Sequence, residues 1–416
     1  MAILRTMDDR NEETHDDVEL GDLENDAFLP GATPTKSRPG TSSILTRWIP
    51  SQIRIFLGNV SKIKLLFVIL ILFVLGLSVA AYRNVDEQIA YPIPEESLNL
   101  RAGLAKSLNG TSIPDYVLQY APYVFMHNED AYNPSDLAKH IANTNPAVNF
   151  TAVAGAPSPL TLDNLNSLND LGGDSVFLSS KEDLIKLPEF LKGQAPDPKT
   201  LATTGAKSCA VIVVEKGNGL VDAFYMYFYT FNDGPSLLSY QAGNHLGDWE
   251  HNMVRFQNGT PTAVWFSQHE FGFAYTYSAV QKIGRRPVSF SAKGSHANYA
   301  VAGNLDFHNT YRFIPAHIVH DRTQQGRLWD PTLEAYYYAF DKEKKMFTPA
   351  VERTPVNWLY FEGHWGDDQF PLEREGQEEF HGYLKWIPGP KGPLDKHLDR
   401  VDVCPPTREC VVKDRK

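Results

Sequence analysis

The sequence predicts a mainly β protein: an antiparallel β-sandwich with helical decoration, preceded by one transmembrane helix and a disordered tail. Hydrophobic residues make up 42% of the 416 residues and aromatic residues 12%, which is enough for a sizeable core. From Cys209 onward, short β-branched and aromatic runs such as CAVIVVE, VDAFYMYFYTF and TAVWFS alternate with Gly, Pro and Asn, as antiparallel strands do. An apolar run nearer the N-terminus predicts the membrane helix.

Residues 1–62 are expected to form a disordered cytosolic tail, acidic and then basic. Positions 8–26 carry ten acidic side chains and one basic one, whereas positions 27–64 carry six basic side chains and no acidic ones. A tail of this composition buries too little apolar surface to offset the entropy lost on ordering. The formal net charge of −11 argues against a general nucleic-acid binder, which needs a basic face.

Residues 63–82 are predicted to form a transmembrane anchor. The run LLFVILILFVLGLSVAAY at 65–82 carries no charge. As a helix it spans about 27 Å, close to the thickness of the thinner bilayers of the secretory pathway. A buried soluble helix is the alternative, but it seldom shows so unbroken an aliphatic run. Basic residues precede the run and mostly acidic ones follow it, so we expect a single-pass protein with a cytosolic N-terminus.

Residues 83–110 are predicted to form a stalk, and residues 111–416 a single luminal or extracellular β-sandwich domain. Asn-x-Thr sequons agree with that location, and an oxidising compartment would permit a disulfide between two cysteines near the C-terminus. The predicted glycosylation sites are Asn109 and Asn149, and the predicted disulfide joins Cys404 to Cys410.

The segment 241-QAGNHLGDWEHNM-253 is predicted to hold a divalent cation. In a strand alternate residues share a face, so Asp248 and Glu250 can point the same way while Trp249 turns into the core. His245 can fold back towards this pair, and Asp233 ends the preceding aromatic strand. One imidazole with three carboxylates suits Mg²⁺, Ca²⁺ or Mn²⁺, whereas zinc more often takes further His or Cys ligands.

Other polar side chains at strand ends or in Gly-rich turns are candidates to line this site. The alternative is that all of them are polar loop residues that bond to backbone groups at the rim of a sheet. The predicted ligands are Asp233, His245, Asp248 and Glu250, and the candidate lining residues are His251, His269, His296 and Asp367.

Four motifs carry a family resemblance. GNHLGDWEHNMVRF, VWFSQHEFG, RRPVSFSAKGSHANYA and FEGHWGD occur in this order over about 225–370. In this combination the chain resembles the family named for vacuolar protein sorting-associated protein 62. The resemblance implies a part in delivering proteins to the vacuole. Together with the predicted membrane helix, this leads us to expect a membrane protein of the secretory or vacuolar pathway. The resemblance implies a process rather than a reaction.

The string HLGDWE is also similar to the cation site of the necrosis- and ethylene-inducing-like proteins. Those are secreted β-sandwich proteins whose divalent ion is used in binding sphingolipid headgroups. The resemblance implies His245, Asp248 and Glu250 as ligands, with Asp233 at a different spacing, and places His269 and His296 beside the site. Gly247 stands where those proteins carry another histidine, and their cysteine arrangement is missing, so cytolytic activity is not implied.

These observations favour a luminal binding module that recognises a lipid headgroup, a glycan or a cargo protein with the help of the cation. The alternative is a metal-dependent hydrolase of phosphoester or glycolipid substrates, in which a nearby histidine serves as acid or base. The sequence has no GxSxG elbow, Walker loop or HExxH motif, so any catalysis would be metal-assisted hydrolysis with water as the nucleophile. Binding is favoured because no strong catalytic constellation stands beside the predicted ion. A third reading is a structural glycoprotein whose polar cluster only stabilises its loop.

Overall fold

A computed structural model describes residues 62–74, 87–237, 240–269, 271–306, 320–407 and 409–416. The predicted tail, apart from Lys62, and positions 75–82 of the predicted anchor lie outside these ranges.

The first described element, helix α1, spans 62–74 and belongs to a unit of its own. Its large apolar side chains are between 46% and 66% exposed, from Ile63 through Val74. Along the described ranges, no helix combines the length with the apolar character that a membrane crossing needs.

From residue 87 onward the chain is built mainly from strands, with few helices. The α-helices are α2 (Glu95–Leu108), α3 (Asp115–Gln119) and α4 (Leu137–Ala142). Short 3-10 helices occupy Leu165–Leu171, Gly173–Ser175, Leu184–Lys186, Glu189–Lys192, Tyr277–Ala279, Pro331–Glu334, Asn357–Tyr360 and Pro393–Lys396. The strands are β1 (Tyr123–Met126), β2 (Thr144–Val148), β3 (Thr151–Ala152), β4 (Phe177–Ser180), β5 (Cys209–Gly217), β6 (Leu220–Asn232), β7 (Ser236–Leu237), β8 (Tyr240–Gln241), β9 (His245–Gln257), β10 (Thr260–Gln268), β11 (Phe271–Thr276), β12 (Lys282–Ile283), β13 (Arg286–Ser291), β14 (Asn298–Tyr299), β15 (Gly303–Asp306), β16 (His320–Thr323), β17 (Arg327–Trp329), β18 (Ala335–Asp341), β19 (Met346–Pro349), β20 (Glu379–Phe380), β21 (Tyr383–Leu384) and β22 (Val412–Lys413).

The larger sheet has the strand order β19-β18-β5-β6-β9-β10-β11-β22. The β5–β6 and β9–β10 hairpins turn on the Asn-Gly pairs 218–219 and 258–259, in which both residues have positive φ. Asn-Gly is the pair that two-residue hairpin turns of this kind favour. The two longest strands, β6 and β9, pair with each other and lie at the centre of the sheet.

The second sheet has the order β12-β13-β1-β17, with β14 attached to β13. Strand β1 runs parallel to β13, and in the larger sheet β18 runs parallel to β5 and β22 to β11. The mainly β prediction is confirmed, but the two sheets are mixed rather than wholly antiparallel. The parallel pairs join strands far apart in sequence, which hairpin signals cannot show.

The two sheets share one apolar cluster. Tyr225, Tyr227 and Tyr229 of β6 point into it from the larger sheet, and Val124 and Trp329 from the smaller one. The opposite face of the larger sheet is covered by α4, β4 and several 3-10 helices. Both faces of the central strands are therefore shielded from water, and β6 carries mostly apolar and aromatic side chains on both faces.

The described part of the predicted stalk packs against the second sheet. Ile89 and Tyr91 contact the apolar cluster on its outer face, and the Ile89 N–H donates to the Lys282 carbonyl at 2.7 Å. Leu108 at the end of α2 is buried in the cluster between the sheets. At the other end of the chain, Cys404 and Cys410 are joined by a disulfide.

Candidate functional site

Strand β9 places two carboxylates on its face towards the second sheet. Asp248 lies opposite Tyr229 of β6 and Glu250 opposite Tyr227, and residues directly opposite each other in a sheet share a face. Asp248 is 6% exposed and Glu250 5%. Trp249 points the other way, into the aromatic cluster on the opposite face. This is the alternation that the sequence predicts.

The turn between β13 and β14 brings a histidine to this pair. His296 adopts a left-handed backbone, with φ at +55°, and its Nδ1 lies 2.9 Å from Asp248 Oδ2. The imidazole stacks on the ring of Tyr229 at 3.7 Å between centroids, and its Nε2 lies 3.7 Å from Asp130 Oδ2. An uncommon backbone conformation for a histidine is thus held in place by contacts on several sides.

The electrostatics of this group follow from burial. Burial, followed by the charge of Asp248, raises the pKa of Glu250 well above its ordinary value. Burial opposes a charge on His296, but the hydrogen bond to Asp248 and the charge of Asp130 outweigh it and raise the pKa of His296. The Ser267 hydroxyl donates to Glu250 Oε2. The positively charged imidazole of His296 lies between Asp248 and Asp130. Glu250 is a further buried carboxyl group beside them.

A second buried carboxylate network lies beside the first. Asp321 of β16 accepts hydrogen bonds from Ser295 and Tyr299, each at 2.6 Å, and its Oδ2 lies 2.6 Å from Nε2 of His269. Burial opposes a charge on His269, but the charge of Asp321 and this hydrogen bond raise its pKa to about 9. Because Ser295 precedes His296, the two networks are linked through one turn.

His245, at the first position of β9, has its ring Nδ1 2.7 Å from the Gly247 carbonyl oxygen. A carbonyl only accepts, so Nδ1 carries the proton and Nε2 presents its lone pair. Burial lowers the pKa of His245, against the opposing charge of Asp248. A neutral imidazole with Nδ1 bonded to a backbone carbonyl is the form that histidine metal ligands commonly take.

The fourth predicted ligand, Asp233, lies at the edge of the group. Its N–H donates to the Gly294 carbonyl at 2.9 Å, in the turn that carries His296, and its Oδ1 accepts from Gln241 at 2.7 Å. Burial raises the pKa of Asp233, and the charge of Asp130 adds to this shift. Asp233 therefore contacts the turn that carries His296, rather than contacting Asp248 or Glu250 directly.

Two candidate lining residues lie on the other side of the larger sheet. The His251 ring faces Phe224, and its Nε2 lies 3.1 Å from a guanidinium nitrogen of Arg400. Asp367 Oδ2 accepts from the Ser180 N–H at 3.1 Å, in the layer that covers that face. Strand alternation separates these two side chains from Asp248 and Glu250.

Two carboxylates of the group, Asp130 and Asp321, are not among the residues predicted from the sequence. Asp130 follows β1 and accepts from the Gly294 N–H at 2.8 Å, and Asp321 lies in β16. Asp130 lies four residues beyond the end of β1, and its partner Gly294 is 164 residues away, so no local pattern marks it. No local pattern marks Asp321, because its partners lie 22 or more residues away in the sequence.

The residue types fit a hard divalent cation, but their present arrangement does not enclose one. Over the ranges that the structure describes, no group of three or more His, Cys, Asp or Glu side chains is placed to hold a metal ion. One oxygen of Asp248 faces His296, and one of Glu250 faces Ser267. The cation stays a prediction.

The two predicted glycosylation sites are exposed and lie in turns. Asn149 and Phe150, both with positive φ, form the tip of the β2–β3 hairpin. Asn109 follows α2, in a turn closed by a hydrogen bond of 3.1 Å from the Thr111 N–H to the Leu108 carbonyl. A glycosyltransferase needs such an accessible asparagine.

Curated relatives of this chain come from the yeast Saccharomyces cerevisiae. The chain is 38% identical over 325 residues to putative vacuolar protein sorting-associated protein TDA6, and the match covers 70% of this chain and 68% of that protein. It is 34% identical over 326 residues to vacuolar protein sorting-associated protein 62, with the same coverage.

Among solved structures the likeness is faint. A structure described as a toxin fold for microbial attack and plant defense has a TM-score of 0.23 at 12% identity, covering 45% of this chain and 68% of that one. NLPPya in complex with glucosamine has a TM-score of 0.22 at 14% identity, covering 53% and 77%. Such low TM-scores do not establish a shared fold.

The family model described as vacuolar protein sorting-associated protein 62 matches residues 98–368. The matched range runs from α2 through the second sheet, both carboxylate networks and the FEGHWGD turn. It includes every predicted cation ligand, and it ends before the disulfide. The chain therefore belongs to the vacuolar protein sorting-associated protein 62 family.

Proposed function

We propose that this chain acts in protein targeting to the vacuole, as a membrane-anchored protein with a ligand-binding luminal domain. The relatives' names support the process, since both are described as vacuolar protein sorting-associated. The ligand is a lipid headgroup, a glycan or a cargo protein, held with the help of a divalent cation. His245, Asp248 and Glu250 bind that cation.

The main support for a cation site is that four buried carboxyl groups lie near the start of β9. Asp248, Glu250, Asp130 and Asp321 are all less than 9% exposed. The positive charges of Lys396 and His269 favour an ionised Glu250, but burial and the charge of Asp248 outweigh them and raise its pKa. Two carboxylates on neighbouring same-face positions repel each other in a poorly hydrated site. A divalent ion relieves this repulsion, and a neutral His245 offers a lone pair to it.

The membrane anchor has separate support. Helix α1 exposes apolar side chains around its whole circumference, and a helix of that kind is stable in an apolar surrounding. The same uncharged run continues through Tyr82 in the sequence. With basic residues before it, the domain after residue 87 would lie on the luminal side.

Isothermal titration of the full chain in detergent with MgCl₂, CaCl₂ and MnCl₂ tests the cation site. We expect at least one ion to bind the wild type, and Glu250→Gln to weaken binding roughly tenfold or more, since it removes a charged ligand. Asp367→Asn is the matched control, because Asp367 is as buried as Glu250 but lies across the sheet.

Two results would contradict the proposal. If no ion binds the wild type, the cation site does not exist. If Glu250→Gln binds like the wild type, the ion binds elsewhere. Metal-dependent cleavage of phosphoester or glycolipid substrates, lost in Glu250→Gln, would instead make the same site that of a hydrolase.

A further inference from the structure

A cleft of about 440 Å³ is lined mainly by residues of helices α2 and α3. Leu104 and Ala105 of α2 line it, as do Leu118 and Gln119 of α3. Asn109, which directly follows α2 and is exposed, also lines it. The cleft therefore lies beside one of the two predicted glycosylation sites.

The walls of this cleft are held in place by the core. A guanidinium nitrogen of Arg101 donates to the Leu118 carbonyl at 3.0 Å and so joins the two helices. Leu108 of α2 and Val117 of α3 are buried in the apolar cluster between the sheets. The cleft is therefore preformed, and an occupant needs to order little of the chain.

The lining combines apolar surface with hydrogen-bonding groups of both kinds. Leu104, which is half-buried, contributes apolar surface. The ammonium group of Lys106 donates hydrogen bonds, the carboxylate of Asp115 accepts them, and the amide of Gln119 does both. A sugar ring has apolar C–H faces and hydroxyls that both donate and accept, so this lining suits a sugar.

The size of the cleft and its position explain which sugar would occupy it. A volume of about 440 Å³ corresponds to roughly fifteen water molecules in the liquid, about as many as the non-hydrogen atoms of one N-acetylglucosamine residue. An open cleft of this kind would hold a free monosaccharide weakly. A covalent link through Asn109 makes the contact intramolecular, at a high effective concentration.

We propose that the innermost N-acetylglucosamine of a glycan on Asn109 occupies this cleft and stabilises the packing of α2 against α3. The proposal rests on the luminal location given in the proposed function, since the sequon receives a glycan only there. It does not depend on the cation. The other predicted site, Asn149, differs because it lies at the exposed tip of a hairpin.

Melting temperatures of the full chain, purified in detergent from a host that adds high-mannose glycans, test the proposal. Endoglycosidase H first trims each glycan to its innermost sugar. Asn109→Gln should then lower the melting temperature by about 2 °C, because the cleft loses its occupant. Thr151→Ala, which removes the Asn149 sequon but keeps that asparagine, is the matched control. Each substitution is measured again in protein made with tunicamycin, which carries no N-glycan, and there Asn109→Gln should have no effect.

A substitution within the cleft locates the sugar. Ala105 is exposed, so Ala105→Phe should fold, and its ring should fill the cleft and displace the sugar. In this background Asn109→Gln should no longer change the melting temperature, which is the result of a double-mutant cycle between coupled groups. Leu100→Phe, at an exposed position of α2 that does not line the cleft, should preserve the effect.

Peptide mass spectrometry of the wild type separates failure of this proposal from failure of the luminal location. A chain without a glycan on any sequon would show that the luminal location is wrong, and this proposal with it. A glycan on Asn149 but not on Asn109 would overturn this proposal alone. So would an Asn109→Gln effect that is absent from the trimmed protein, equal in the tunicamycin protein, or unchanged by Ala105→Phe.

Discussion

Glu250 holds its carboxyl group where little water reaches it, on the same strand face as the carboxyl group of Asp248. With no cation present, replacing this carboxylate by an amide should stabilise the fold, because the amide keeps an acceptor for Ser267 and removes the repulsion. We expect Glu250→Gln in a metal chelator at pH 8 to raise the free energy of unfolding by roughly 1 kcal/mol. Differential scanning calorimetry measures the change.

Glu334→Gln is the control for this measurement. Glu334 pairs with Lys207 at 2.9 Å, so its charge has a partner, and the substitution should leave the melting temperature unchanged or lower it. A lower melting temperature for Glu250→Gln than for the wild type would mean that its charge is compensated in the chelated protein.

His269 should make the stability of the domain depend on pH. The ion pair with Asp321 raises its pKa to about 9 despite burial, from an ordinary 6.5. The folded state then binds more protons than the unfolded chain, so this stabilisation is complete below about pH 6.5 and is lost as pH rises through 9. The melting temperature of the wild type should exceed that of His269→Gln most at pH 6. A difference that grows towards pH 10 would contradict this assignment.

At the level of elements, the β13–β14 turn can position His296 because Gly294, which has no side chain, lets the turn approach the backbone of Asp233. Gly294 has φ at +78°, and a Cβ there would lie 2.3 Å from the Asp233 carbonyl oxygen. We expect Gly294→Ala to cost about 3 kcal/mol in the free energy of unfolding, from steric overlap added to backbone strain. Urea denaturation measures it.

Gly284 provides the matched comparison for Gly294. It also has a left-handed backbone, with φ at +62°, but open space surrounds its Cβ position. Gly284→Ala should therefore cost only the backbone strain, about 1 kcal/mol. Equal costs at the two glycines would show that the close approach to Asp233 does not hold the turn.

Strand alternation explains which parts of the site are visible in the sequence. Asp248 and Glu250 share a face because the side-chain period of a strand is two, and the same rule sends Trp249 and His251 to the other side. Asp130 reaches Gly294 across 164 residues, so no local spacing could reveal it.

For the whole molecule, composition and turn signals predict a mainly β domain but not its sheet order. The hairpins follow Asn-Gly turns that are readable in the sequence, whereas the parallel pairing of β1 with β13 joins distant segments. The packing of Ile89, Tyr91 and Leu108, within the predicted stalk, also depends on contacts distant in sequence, which no local pattern shows.

A luminal domain should carry a glycan at the tip of the β2–β3 hairpin. We expect the full chain expressed in a eukaryotic secretory host to lose one glycan mass in Asn149→Gln, seen as a faster gel mobility that endoglycosidase treatment of both proteins abolishes. Asn145→Gln, an exposed asparagine on the same hairpin without a sequon, should change nothing. A wild-type chain without any endoglycosidase-sensitive glycan would contradict the luminal location.

The cation site is the central claim, and anomalous X-ray scattering from crystals of the protein soaked in MnCl₂ tests it most directly. We predict one strong anomalous peak within about 2.5 Å of carboxylate oxygens of both Asp248 and Glu250, with His245 as a further ligand. A map without a peak at β9, or with manganese only on exposed surface carboxylates, would contradict a built cation site in this family member.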